Sequence, residues 1–288
     1  MDTLHDIQCR ALHEGWALPH FNISDLVTLH AIVAAGRELQ APVLIGTSEG
    51  EAGFVGYKQA VALVRTFREE HNLPFYINAD HHKSLAAAKR AIDAGYDSVH
   101  IDLSKLPLDE NIAITKEVVA YAHAKKPSID VEGEVGYLVT DASKVYKEVV
   151  EVPPESLARV EDAARYVRAT GVDRLAPAVG TLHGIAANIP KIDCARIRAI
   201  RDTVGETALV LHGGSGSTEQ QFKDAIAAGI ANVHINTDLR VAYVGALRAF
   251  LASNPDEVVP YKALAPALAA VQAKCAAYVR LFGAAGRV

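Results

Sequence analysis

Apolar runs of strand length alternate with amphipathic helical stretches along the whole chain. The periodicity predicts strands at residues 17–21, 43–46, 73–81, 98–102, 128–135, 174–179, 208–211 and 233–235. Helices are predicted at about 25–39, 58–71, 84–94, 111–125, 158–170, 194–204, 218–228 and 238–252, and a last one at 263–282. Ser24 or Asn22 is the expected cap of the first of these helices. Eight strands alternating with helices is the pattern of a (β/α)8 TIM barrel. A doubly wound open sheet is the runner-up, weakened because no Gly-x-Gly-x-x-Gly follows the first strand. There is no internal repeat, low-complexity segment or linker, so residues 1–288 are expected to form one domain with an extra C-terminal helix. The stretch 136–155 has no clear period and is long for a strand-to-helix connection, which predicts a mobile loop.

Composition narrows the class. Half the residues are hydrophobic and 22% are charged, as in a globular enzyme with a sizeable core. The net charge is -5 and no Lys/Arg block stands out, which argues against a nucleic-acid or membrane-surface partner. No apolar run reaches the roughly 18 residues that span a bilayer. The N-terminus carries an early Asp2 and no basic stretch, so no signal peptide is expected. Cys9, Cys194 and Cys275 are far apart and form no C-x-x-C pair, the pattern of reduced thiols in a cytoplasmic protein.

The chemistry is written at the strand ends. An apolar run leads into Asn78-Ala79-Asp80-His81-His82. Burying such polar groups unpaired costs several kcal/mol, so something is expected to bind them. Two further histidines, His183 and His212, stand beside Gly-containing turns after the sixth and seventh strands, and Asp102, Glu132 and Glu134 mark the fourth and fifth. In a barrel of this kind the C-terminal strand ends carry catalysis. Three imidazoles with one open position is a catalytic zinc arrangement, so His81, His183 and His212 are read as one metal site. Each histidine taken alone also fits a hydrogen-bonded structural role. His5, His13, His30 and His123 lie in helical patterns and are left as surface or core. The run Gly213-Gly214-Ser215-Gly216-Ser217 precedes a helix, and so does Asn236-Thr237-Asp238. Glycine-lined backbone N–H groups at a helix N-terminus suit a phosphate, although a plain Gly-rich turn reads the same way. Together these features point to a zinc Lewis acid beside a phosphorylated carbonyl substrate.

Joined across the chain, these motifs resemble the class II (zinc-dependent) ketose-bisphosphate aldolases, the fructose- and tagatose-bisphosphate aldolase family. The likeness includes Phe21-Asn22-Ile23, Asp80-His81-His82, Ile101-Asp102, Glu132-Gly133-Glu134-Val135-Gly136, Gly180-Thr181-Leu182-His183-Gly184, Leu211-His212-Gly213-Gly214-Ser215-Gly216 and Asn236-Thr237-Asp238-Leu239. The resemblance implies zinc on His81, His183 and His212, with Asp102 and Glu134 able to hold a second or displaced metal. Asp80 would be the acid/base acting at the cleaved bond. Gly184, Gly213, Gly214, Ser215, His234, Asn236 and Thr237 would bind the dihydroxyacetone-phosphate half, and Asn22 and Ser48 are placed with this substrate-binding set. The implied partners are a phosphorylated sugar and, in a homodimer or homotetramer, other copies of the chain. Some relatives also use a monovalent cation (Na+ or K+).

The chain departs from that pattern twice. The loop after Glu134 lacks the family's Gly-Gly pair and acidic residues, and Asp141 is the carboxylate nearest the expected point, with Glu148 and Glu151 further on. His234 stands where the family has an Asn that contacts the triose, which suggests a shifted substrate. Rival readings stay open at this stage: a lysine Schiff-base aldolase, a zinc hydrolase on the same three histidines, and a non-catalytic sugar-phosphate-binding protein.

Overall fold

The computed structural model describes residues 2–140, 144–189 and 191–288. Eight parallel strands close into a barrel in sequence order: β1 Leu18–Asn22, β2 Val43–Ser48, β3 Phe75–His82, β4 Ser98–Ile101, β5 Asp130–Val135, β6 Arg174–Pro177, β7 Ala208–Leu211 and β8 Ile230–Ile235. β8 pairs back onto β1, with His20 opposite His234. The expected (β/α)8 barrel is therefore the fold.

Eleven helices accompany the strands among the described residues: α1 Leu4–Glu14, α2 Leu26–Leu39, α3 Glu49–Val55, α4 Tyr57–His71, α5 Leu85–Ala94, α6 Leu108–Lys125, α7 Val160–Thr170, α8 Cys194–Arg201, α9 Glu219–Ala227, α10 Thr237–Ser253 and α11 Pro260–Leu281. None is long and apolar enough to cross a membrane. Two were not placed by the periodicity. α1 is held by a Thr3/Asp6 capping box and packs Leu4, Ile7 and Ala11 against the barrel. α3 begins directly on Ser48, which caps it with Glu51. α2 is capped by Asp25, whose carboxylate accepts from Thr28 N at 2.7 Å, and not by Ser24 or Asn22. Asn22 is free for the site as a result. α11 lies across α2 and α10 and buries Val271, Cys275 and Val279. The stretch after β5 holds no α-helix among its described residues, only a 3-10 turn at Pro154–Ser156 and a bridge from Val145 to Ile185.

Strands buried on both faces usually read as apolar runs. Here they are also fully covered, yet the barrel interior is lined with polar side chains. His20, Asn78, Ser98, His100, Asp130, Glu132, Arg174 and Asn232 are all buried. His20, Asn78, Ser98, Asp130, Arg174 and Asn232 are linked by hydrogen bonds in one layer, with Glu132 ion-paired to Arg174 and His100 bonded to the His81 backbone. Pairing offsets most of the cost of burying these groups, while His20 Nδ1 and His100 Nε2 stay without a hydrogen-bond partner among the described residues.

Candidate active site

His81 leaves β3 through a distortion. The β3–β4 register shifts between Ala79 and His82, and His81 adopts φ 47°, a left-handed conformation that costs a non-glycine residue free energy. His100 offsets part of that cost, because its Nδ1 accepts the His81 backbone N–H at 3.2 Å. The His81 ring is then fixed by Asp102, whose Oδ2 lies 2.9 Å from Nδ1. Asp102 is itself held by Ser104, whose hydroxyl donates to Oδ1 at 2.7 Å. A carboxylate on one ring nitrogen leaves the other for an ion.

His212 follows β7 directly. Its Nε2 sits 2.6 Å from Oε1 of Glu132. His183 is less simply placed than the sequence suggested: β6 ends at Pro177, so His183 lies in the loop beyond and not at the strand tip. That loop is tied to the stretch after β5. The Thr140 hydroxyl donates to His183 O at 2.8 Å, and Tyr146 N donates to Ile185 O at 2.7 Å. Gly184 has φ 81°, and a Cβ there would meet Lys144 O at 2.3 Å, so the crossing of these two segments requires glycine.

The three rings converge. Ring centroids are 4.7 Å apart for His81–His183, 4.6 Å for His81–His212 and 6.2 Å for His183–His212. Imidazoles sharing one ion at the usual nitrogen distance have centroids roughly 5 Å apart. His183 Nε2 is buried without a protein partner among the described residues, and burial pushes this ring down to about 3, so it is neutral as a ligand must be. These residues fit a divalent ion. Donor atoms of His81, Asp102 and Glu134 also lie within 4.8 Å of one another, as do those of Asp80, His81, His100 and His212. His183 joins neither of these tighter clusters.

Asp80 lies against the same rings. Its Oδ2 accepts from Asn22 Nδ2 at 3.0 Å, and its Oδ1 faces His234 Nδ1 at 3.3 Å and His100 Nδ1 at 3.7 Å. Burial pushes this carboxyl up, but His81, His100 and His234 outweigh that and hold it well below the usual carboxylate range. Asp80 is therefore ionised, the state of a proton acceptor.

A small cavity of about 30 Å³ is lined by Asn22, Asp80, His81, His183, Gly184, His212, Gly213, Gly214, Ser215, His234, Asn236 and Thr237. It thus gathers most of the residues expected to bind substrate. Gly213 has φ 66° and leaves no room for a Cβ, which would meet Leu182 O at 2.5 Å. The Ser215 hydroxyl accepts from Asp238 N at 3.3 Å, joining the turn after β7 to the start of α10. Asp80, His81, His183 and Asn236 are shared with a wider cavity of about 410 Å³ that also takes in Ser48, Lys83, Asp102, Lys105 and Glu134. Ser48 thus sits on the wider side. His234 is stacked on His20, with centroids 3.6 Å apart. Asp141 lies outside the described residues. Glu148 and Glu151 are exposed and line neither cavity around His81 and His183.

Comparison with known proteins decides the family. Residues 2–287 match the model of the family described as fructose-bisphosphate aldolase class-II. The chain belongs to the class II fructose-bisphosphate aldolase family. It is 38% identical over 289 residues to a fructose-bisphosphate aldolase of Geobacillus stearothermophilus, covering 99% of this chain and 98% of that protein. Among solved structures it is similar to the YdjI aldolase of Escherichia coli K12, at 26% identity and TM-score 0.82 over 99% of this chain and 98% of that one. It is also similar to a putative fructose-1,6-bisphosphate aldolase of Coccidioides immitis, at 26% identity and TM-score 0.84 over 99% and 97%. The class II aldolase assignment makes this chain a carbon–carbon lyase. The family is generally metal-dependent and implies a phosphorylated sugar substrate.

Several residues around this aldolase site have no place in the strand-end pattern. His100 and His20 sit inside strands, where a histidine reads as one polar break in an apolar run. Glu51 is buried in α3 and accepts from Asn22 Nδ2 at 2.9 Å and from Ser48 N at 2.7 Å, while also pairing with Arg240. Its one sequence signal is the capping-box spacing Ser48-x-x-Glu51.

Proposed function

We propose that this aldolase performs zinc-dependent, reversible cleavage of a phosphorylated ketose, of the fructose- or tagatose-bisphosphate type, to dihydroxyacetone phosphate and an aldehyde. The observation that carries this reading is the meeting of His81, His183 and His212 beside an ionised Asp80 and a glycine-lined cradle. His81, His183 and His212 would hold zinc, and Asp102 with Glu134 would offer a second position. When bound, zinc supplies Lewis acidity toward the carbonyl oxygen and adjacent hydroxyl of the ketose. The cradle of Gly184, Gly213, Gly214, Ser215, Asn236 and Thr237 would fix the triose phosphate against backbone N–H groups and the start of α10. Asp80 would take the proton of the C4 hydroxyl. The C4–O bond becomes a carbonyl as C3–C4 breaks, and the electron pair stays with C3. A carboxylate of the stretch after β5 would return a proton to C3.

Metal-loaded enzyme incubated with dihydroxyacetone phosphate and a panel of aldehydes should give phosphorylated ketoses. No condensation, with EDTA-sensitive hydrolysis of a phosphorylated substrate instead, would favour a zinc hydrolase. Borohydride trapping of a substrate adduct would favour a Schiff-base enzyme. The loop carboxylate is assigned to Asp141. Alanine at Asp141 should slow proton exchange into dihydroxyacetone phosphate about 10²-fold, with Glu148→Ala and Glu151→Ala near wild type. The reverse ranking would move the assignment.

A shifted, non-glycolytic substrate is the second reading, and His234 favours it: a bulky ring packed on His20 and Asp80 replaces a small amide. Restoring it with His234→Asn should raise cleavage of fructose or tagatose bisphosphate relative to wild type, and an unchanged preference would count against this reading. The chain is also read as a homodimer or homotetramer, for which exposed Leu26, Phe54, Val241 and Val244 supply apolar surface. A monomer mass by sedimentation would remove that expectation.

A further inference from the structure

Arg174 opens β6, yet its side chain is fully buried in the barrel interior. Its Nε lies 2.5 Å from Asp130 Oδ1, and Nη1 lies 2.6 Å from Glu132 Oε2 and 3.0 Å from Asn232 Oδ1. Nη2 reaches Asn78 Oδ1 at 3.2 Å and also donates to the Ser98 hydroxyl. One guanidinium thus ties five strands together. Arg174 and Glu132 are register partners on adjacent strands, so the pairing is set by the sheet itself.

Stability does not explain such a pair. Taking an arginine and two carboxylates out of water costs about as much as their attraction returns, and apolar replacements are often neutral or better. What the guanidinium does is hold Glu132 in place: Nη1 lies 2.6 Å from Oε2, which leaves Oε1 turned to His212. A carboxylate set against a guanidinium, which never gives up its proton, accepts hydrogen bonds and donates none. With Glu132 Oε1 2.6 Å away, His212 Nε2 must carry the ring proton, and Nδ1 is the nitrogen left for a metal.

We infer that Arg174 is a positioning residue of the metal centre, which acts through Glu132 to fix the ring tautomer and orientation of His212. This rests on the reading of His212 as a metal ligand. His81 receives the corresponding service from Asp102 at the surface of the mouth; His212 receives it from below, through the barrel core.

The test measures zinc affinity of folded apo-enzyme by competition with a chromophoric chelator, alongside thermal unfolding of the same apo samples. Glu132→Gln should weaken zinc binding 10–100-fold, the usual effect of removing a carboxylate behind a ligating histidine. Arg174→Lys keeps the charge but loses the planar fork, and should weaken zinc binding about tenfold. The double variant should bind zinc no more weakly than Glu132→Gln alone. Lower unfolding temperatures with zinc affinity unchanged, or losses that multiply in the double variant, overturn the inference. Should Glu132→Gln not fold, ¹⁵N imidazole spectra of the wild-type apo-enzyme decide, with the His212 signals located by their loss in His212→Ala. The Nε2–H tautomer is expected, and the Nδ1–H tautomer overturns the inference. Zinc retained by His212→Ala would overturn the ligand reading itself. Zinc lost there but bound normally by the Arg174 and Glu132 variants would overturn the positioning role alone.

Discussion

His183→Ala is expected to lose bound zinc and to lower turnover by about 10³-fold, while the apo-enzyme keeps its stability to within about 1 kcal/mol. The two halves of this expectation come from one observation. A structural histidine holds protein groups together, so removing it orphans them and costs roughly 1–3 kcal/mol. His183 Nε2 holds nothing: it is buried and unpartnered by any described residue, and its loop is fixed through the backbone by Thr140 and Gly184 instead. Deleting the ring therefore removes a ligand and breaks one hydrogen bond, that of the ring with the Thr140 backbone, which is worth about 1 kcal/mol. Zinc content by atomic absorption, turnover and apo unfolding should be read on the same preparation. One zinc per chain in the variant would take His183 out of the coordination sphere, and the tighter Asp80, His81, His100 and His212 cluster would become the better metal site. A fall in apo stability with zinc intact would return His183 to a structural role.

The barrel itself was legible because its signal is repetitive. Each apolar run followed by a helical pattern adds to the same count, and an error of a few residues at any boundary leaves that count alone. The edges were less legible for a local reason. α1 carries its pattern ahead of the first strand, where the strand–helix alternation gives it no slot. α3 follows β2 with no turn residue between them, because Ser48 ends the strand and caps the helix at once.

The candidate site divides along the same line. Groups at strand ends stand out, since a polar residue after an apolar run has no packing reason to be there. Asp80, His81, Asp102 and His212 were found that way, and the fold brings them together. His183 was found by its Gly-rich turn although it lies well past β6. Most of the supporting layer was illegible, because Arg174, His100 and His20 alternate with apolar neighbours as any barrel strand could; Glu132 stood out as a polar group of the fifth strand, but its partners did not. Only closure of the barrel shows that residues 78, 98, 130, 174 and 232, far apart in sequence, share one guanidinium. His234 shows the limit from the other side. As a departure from the family pattern it was visible, but its stacking on His20 was not, because that partner lies at the other end of the chain.

Asp80→Asn separates the acid/base step from metal binding. The substitution keeps the shape of the side chain, and the amide oxygen can still accept from Asn22 Nδ2, so the fold and the ring cluster should survive. What it removes is a carboxylate that His81, His100 and His234 keep ionised against the pull of burial. A group held well below the usual range is already deprotonated across the neutral region, so it accepts a proton without first losing one. Cleavage of the ketose should fall by about 10²–10⁴-fold, the scale of a positioned general base, with one zinc per chain retained. Proton exchange into dihydroxyacetone phosphate alone should fall far less, because that half-reaction involves C3 and never forms or breaks the C4 hydroxyl. Near-wild-type cleavage would discard the role. An equal fall in both reactions would mean that Asp80 acts by ordering the imidazoles around it and not on the C4 hydroxyl.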